Sequence, residues 1–226
     1  MTSVPKPLKF LRPHYGTLKE VYEAWPAAHE MKELLADVLS VLAMTMAEAG
    51  TRECLKFKLE GTKVGIAKMG QEYLRSLSGE IALEYNDRIV QQGLDVPEAD
   101  DLMILVDDII PFQMKHNAET EAVDLLLEVQ KLAKLTDPAF HVDDRNFERV
   151  CLYLLKTADF MADPDEVEEI FATAFDIYVA QKKPVGALRV ALKMGSDDRI
   201  EQLFSDTLGA TVVEKKQMCY LLGRQK

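Results

Sequence analysis

Punctuation constrains this chain more than any other feature. Apolar residues recur three and four positions apart along almost its whole length, and each run closes on a stop signal. In the run over 31–47, Leu34, Leu35, Val38, Leu39, Leu42, Thr45 and Met46 keep that spacing, and Gly50 follows. Thr17 and Glu20 form a capping-box pattern ahead of "LKEVYEAW". A short run over 52–59 stops at Gly61. A long one over 64–89 puts Ile66, Met69, Tyr73, Leu74, Leu77, Ile81 and Tyr85 on one side. Pro97 stands where a first helical residue would. Further runs cover 118–134, 146–161 and 164–181, the last with Asp163 as cap and Glu166 to complete a box. Runs over 184–194 and 197–208, and a final helix capped by Thr211 with Glu214, close the chain. No useful length alternates with period two, so the expectation is all-α.

About eleven helices joined by links of a few residues must pack with their neighbours as antiparallel hairpins. Stacked hairpins make an α-solenoid of the armadillo or tetratricopeptide kind, although no repeat of fixed length is visible. Leu39, Leu42, Leu77, Leu126 and Leu154 are its expected core. We divide the chain into an extended strap over 1–15 and a single helical-repeat domain over 16–226, with its weakest joints near "QQGLD" and "TDPAFHVDDR". The strap follows from Pro5, Pro7 and Pro13, which oppose a helix, and from Leu8, Phe10, Leu11 and Tyr15, too apolar for a loose tail. Phe10 and Leu11 are expected to be buried against the first helices, with Lys6, Lys9 and Arg12 outward.

The stretch that most suggests chemistry is "DDIIPFQMKHNAETEAVDLLLEV", residues 107–129. Pro111 is expected to end or kink the helix before it, Asn117 to cap the next one, and Glu119 to sit in its first turn. His116 and Glu119 are one turn apart, but a di-metal bundle site needs Glu-x-x-His pairs on two helices, and no second pair exists. The stretch reads as a corner. Gly65 and Gly70 do not belong to a phosphate loop, and fit a helix approached closely by a neighbour. His14, His29, His116 and His141 are isolated, and no cysteine stands at zinc-finger spacing. No residue is assigned a catalytic, metal-binding or cofactor-binding role, and no small-molecule substrate is expected.

A net charge of −11 leaves no basic stripe to displace counterions, which argues against nucleic acid. No apolar run is long enough to cross a membrane, and the N-terminus lacks signal-peptide features. Cys54, Cys151 and Cys219 are odd in number and far apart, as free, buried thiols of an intracellular protein would be. Charge is uneven. Residues 91–130 hold ten acids against Lys115 alone, while the first twenty hold Lys6, Lys9, Arg12 and Lys19 against Glu20. The acidic stretch is either a solvated face or a docking surface for a basic partner; Asp100, Asp101, Asp107 and Asp108 are its candidate residues.

Five blocks carry a resemblance: "SVPKPLKFLRPHYGTLKEVYE", "ADVLSVLAMTMAEAGTRECLKFKL", "HNAETEAVDLLLEV", "VCLYLL" and "PVGALRVALKMGSDD…KKQMCYLLGRQ". Together they resemble the N-terminal region of the large non-ATPase subunit of the 26S proteasome regulatory-particle base, the subunit family that docks ubiquitin-like shuttle receptors. The resemblance implies a scaffold of the 19S base acting in ubiquitin-dependent protein degradation, in cytoplasm and nucleus. Its implied partners are the proteasomal ATPase subunits, through their coiled coils, and other regulatory-particle proteins. Family members are several times longer and carry a toroid of proteasome/cyclosome repeats, so the resemblance implies one region of a longer subunit. Receptor docking, which the family places on the toroid, is not transferred to residues here. Met69 stands where members carry Trp, and a polarizable side chain can fill the same core space. The alternative is a free-standing helical-repeat adaptor that binds peptides or proteins in a concave groove lined by exposed Asn, Lys and aromatic side chains. The scaffold reading instead expects apolar patches at the edges.

Overall fold

The computed structural model of the chain describes residues 6–92, 100–205 and 210–224. Among the described residues there is no strand. The helices are α1 (Lys6–Lys9), α2 (Tyr15–Ala24), α3 (Lys32–Met46), α4 (Glu53–Glu60), α5 (Gln71–Gln92), α6 (Asp100–Lys115), α7 (Glu119–Glu128), α8 (Phe147–Thr157), α9 (Pro164–Ala180), α10 (Pro184–Met194), α11 (Asp197–Phe204) and α12 (Val212–Gly223). With α1 a single turn, eleven longer helices remain among the described residues, in line with the punctuation. Pro97, Asp95, Glu98 and the end of the 197–208 run lie outside the described residues.

Contacts sort the chain into two compact units, 1–112 and 113–226, where the sequence reading draws one helical-repeat domain. Within each unit a helix packs on its neighbours in sequence. In the first, α2 packs on α3, α3 on α4 and α4 on α5. In the second, α7 packs on α8, α8 on α9, α9 on α10, and α10 on both α11 and α12. This sequential stacking is the hairpin logic of an α-solenoid.

The first unit closes around Leu39, Leu42, Leu74, Leu77 and Ile81, all buried, with Met69 filling core space beside them. Tyr22 meets Phe57 edge-on at 5.5 Å, joining α2 to α4. The buried Ser40 hydroxyl is paired: it donates to the Cys54 carbonyl at 2.6 Å and lies 2.7 Å from the Tyr73 hydroxyl. In the second unit Leu126, Val150, Cys151, Leu154, Phe175 and Leu188 are buried. There α9 and α10 approach so closely that a Cβ on Gly186 would stand 2.6 Å from the Tyr178 ring.

Several expectations are corrected. Residues 6–14 are not an extended strap: they wind into α1 and a 3-10 turn at Arg12–His14, because Pro is tolerated in a first turn, where its missing N–H has no partner to lose. Both pieces touch α3, yet Phe10 is 80% exposed; Leu11 is half-buried and Tyr15 buried. Thr17 lies inside α2 rather than capping it. The 64–89 run is broken: Gly65 is extended, and Gly70 takes a φ of 94° that suits glycine alone, so α5 starts at Gln71. The 118–134 run ends as a helix at Glu128 and resumes as a 3-10 turn over Leu132–Thr136. Cys219 is exposed, not buried.

Pro111 does not end its helix. α6 continues through it to Lys115, held by buried Ile109 and Ile110 before the proline and Gln113 and Met114 after it. The forfeited bond is the one to the Asp107 carbonyl, at an exposed residue where water can serve. Asn117 is not the cap of α7 either. It takes the left-handed conformation (φ 56°) two residues past the end of α6, and the Ala118 N–H returns to the Gln113 carbonyl at 3.0 Å, closing α6 in a Schellman turn.

Candidate docking surfaces

The corner between α6 and α7 is fixed by one arginine. Arg149, from α8, donates through Nε to Glu119 at 3.1 Å and through Nη2 to the Asn117 side-chain oxygen at 3.2 Å. Glu119 is buried by this contact, so it belongs to no solvated face. His116 lies in the turn between the two helices. His29 stacks on Trp25 at 4.0 Å, while His141 occupies a left-handed turn after Phe140. Burial pushes the Cys54 and Cys151 thiols up to about 12, well away from thiolate at neutral pH. Among the described residues no three His, Cys, Asp or Glu gather as a metal-binding group, and no helix is long and apolar enough to cross a membrane.

The acidic candidates all fall on α6. Asp100 is its first residue. Asp101, Asp107 and Asp108 are exposed. Asp101 accepts a two-pronged fork from Arg88, at 2.8 and 3.1 Å, and Arg88 Nε donates to Glu84 at 2.8 Å. Glu84 also accepts from Arg52 at 2.6 Å, and Arg52 reaches Asp87 with its other amino group. These hydrogen bonds hold the Asp101 and Glu84 carboxyls below their usual range. The structure thus spends Asp101 on tying α5 to α6, while Asp107 and Asp108 lie exposed further along the helix. Between Asp101 and Asp108, at helical spacing, stands Ile104, 65% exposed. The sequence pattern does signal it: three residues after Asp101 and four before Asp108, it shares their face.

A second surface was missed by sequence reasoning. α12 buries Met218 but exposes Val212, Val213 and Tyr220 at 70%, 64% and 69%. Between α10 and α12 lies a groove of about 440 Å³, lined by Val185, Arg189, Val213, Lys216, Tyr220 and Leu221. Its apolar floor comes from α10 and α12 together, and both charged residues on its rim are cations. Leu83 and Val90 on α5 are also exposed, seven residues apart and so on one side. Apolar side chains offered to solvent at helical spacing fit the chemistry of protein–protein contact.

Comparison with known proteins agrees with that chemistry. The family model described as the RPN1 N-terminal domain matches residues 1–226. A 26S proteasome non-ATPase regulatory subunit 2 homolog from Arabidopsis thaliana is 46% identical over 224 residues, which is 99% of this chain and 24% of the relative. The corresponding subunit of Dictyostelium discoideum is 42% identical over all of this chain, and the 26S proteasome regulatory subunit rpn1 of Schizosaccharomyces pombe is 40% identical. The chain spans about a quarter of the length of these relatives. With its full length matched and its helices ordered as the punctuation demands, the chain belongs to the RPN1 N-terminal domain family.

Proposed function

We propose that this chain is a non-catalytic scaffold region of a 26S proteasome regulatory-particle base subunit. It serves ubiquitin-dependent protein degradation by assembling with the proteasomal ATPase ring and with other regulatory-particle proteins, in cytoplasm and nucleus. The observation that carries this reading is the match of residues 1–226 to the family, whose relatives are named as non-ATPase regulatory subunits. The side chains support it. Two of the three thiols are buried and raised, the histidines sit on separate elements, and the exposed apolar residues fit patches to be covered by neighbours. A scaffold works by holding shape. The buried Lys58–Asp37 pair and the Arg52–Glu84–Arg88–Asp101 chain fix the first unit's helices to one another.

The test is reconstitution of the regulatory-particle base with a full-length subunit lacking residues 1–226. The expected result is a base that assembles poorly and degrades ubiquitinated substrate slowly. Normal assembly with normal degradation would overturn the reading.

A further inference from the structure

We infer that the groove between α10 and α12 docks an amphipathic helix of a neighbouring subunit, one whose apolar stripe is flanked by carboxylates. This rests on the scaffold reading and adds to it the place and chemistry of one contact. The first observation is the composition of α12. Met218 faces the core, while Val212, Val213 and Tyr220 face solvent, so the helix is apolar on more than one side. A helix of that kind is normally covered on each such side. Val213, Lys216 or Gln217, and Tyr220 follow at intervals of three or four residues. They form one continuous face beside Val185 and Arg189 of α10.

The second observation is charge. The chain carries −11 overall, yet the two charged residues lining this groove are Arg189 and Lys216, both exposed. An apolar floor with a cationic rim selects a helix with leucine-like anchors at i, i+3 or i+4, and i+7, and with Asp or Glu beside them. A lysine-rich helix would meet like charge at the rim. A second copy of the chain is disfavoured by the mutual repulsion of two strongly acidic bodies. A groove of about 440 Å³ admits the anchoring side chains while the helix backbone lies along its mouth.

Gln217 lines the groove and is exposed, so it marks the place for a probe. A benzophenone amino acid replaces Gln217 in the full-length subunit, which is then assembled into the regulatory particle from purified proteins. Irradiation followed by mass spectrometry identifies what lies over the groove. The expected product joins position 217 to a helix of another subunit bearing apolar residues at helical spacing with neighbouring Asp or Glu. Arg189→Glu with Lys216→Glu should reduce that product at least tenfold, and Tyr220→Ala should reduce it as well. Products confined to the subunit's own chain, no product, or a product indifferent to charge reversal would each overturn the proposal. The scaffold reading fails separately, on normal assembly without residues 1–226.

Discussion

Lys58 is a charge with no room for error. Its ammonium donates to Asp37 Oδ1 at 2.8 Å, to the Val64 carbonyl at 3.0 Å and to the Gly61 carbonyl at 3.1 Å, which uses all three donors. Asp37 answers by accepting the Val64 N–H at 2.7 Å. Both side chains are buried, so removing one leaves the other charged and unpaired in the core. Lys58→Met should therefore cost about 3–5 kcal/mol in chemical denaturation. The pairs around Arg88 behave differently because they are part-exposed, and pairs of that kind are worth about 0–1 kcal/mol each. Their signature is pH. Glu84 and Asp101 are held below their unfolded values, so their stabilisation is complete above about pH 4–5 and is lost as pH falls through the lowered folded values. Burial raises Glu80 instead, and that group opposes the trend by favouring the folded state on protonation. Denaturation midpoints measured from pH 7 to pH 3 should fall less steeply for Arg88→Met than for the unaltered chain. Glu84–Arg88, four residues apart on one helix, is legible in the sequence, but partners such as Asp37 and Lys58 share no motif and meet only when α3 and α4 pack.

At the scale of the helix, the same ending recurs. α7, α9 and α10 close like α6, with a left-handed residue just past the helix: Gln130 (φ 52°), Lys182 (φ 55°) and Gly195 (φ 65°). In each, the next N–H returns five residues to a carbonyl: Lys131 to Leu126, Lys183 to Tyr178 and Ser196 to Ala191. Only Gly195 occupies that region without side-chain strain. Gln130→Gly and Lys182→Gly should each raise stability by up to ~1 kcal/mol, whereas Gly195→Ala should lower it by about 1 kcal/mol, read as shifts in urea midpoint. Gly186 has another duty. Tyr178 is pressed between it and the edge of Phe147, 6.1 Å away between ring centres, and cannot retreat from a new methyl group. Gly186→Ala should cost about 1–3 kcal/mol by the same measurement. Some boundaries were readable: Asp163 accepting the Asp165 N–H and the Thr211–Glu214 capping box as starts, and Gly61 as the end of α4. Stops made by an Asn, Gln or Lys turned left-handed were not, because Gln and Lys have no preference for positive φ, and Asn serves a helix start as readily as a left-handed stop. Pro111 misled for a related reason. A local preference to stop yields when the residues on either side are buried together.

At the scale of the whole chain, three-four periodicity reports which face of a helix is inward and which neighbour it meets. That is why Leu39, Leu42, Leu77, Leu126 and Leu154 were placed in the core correctly. It does not report where one compact unit gives way to the next, and the division near Phe112 falls inside an unbroken helix with no linker composition to mark it. Nor does it separate an apolar residue facing the core from one awaiting a partner, so Val213 and Tyr220 passed as ordinary helix positions. The acidic candidates were read as surface, and Asp101, Asp107 and Asp108 are there; the loss of Asp101 to Arg88 needed the fold. Under the proposed scaffold role, function at this scale is a matter of which surfaces are covered by neighbouring subunits. The most direct measurement is a lysine crosslinking map, by mass spectrometry, of the regulatory particle assembled around the full-length subunit. The account predicts crosslinks from residues 1–226 to ATPase subunits and to other regulatory-particle proteins. A map in which crosslinks from these residues stay within their own chain would contradict it.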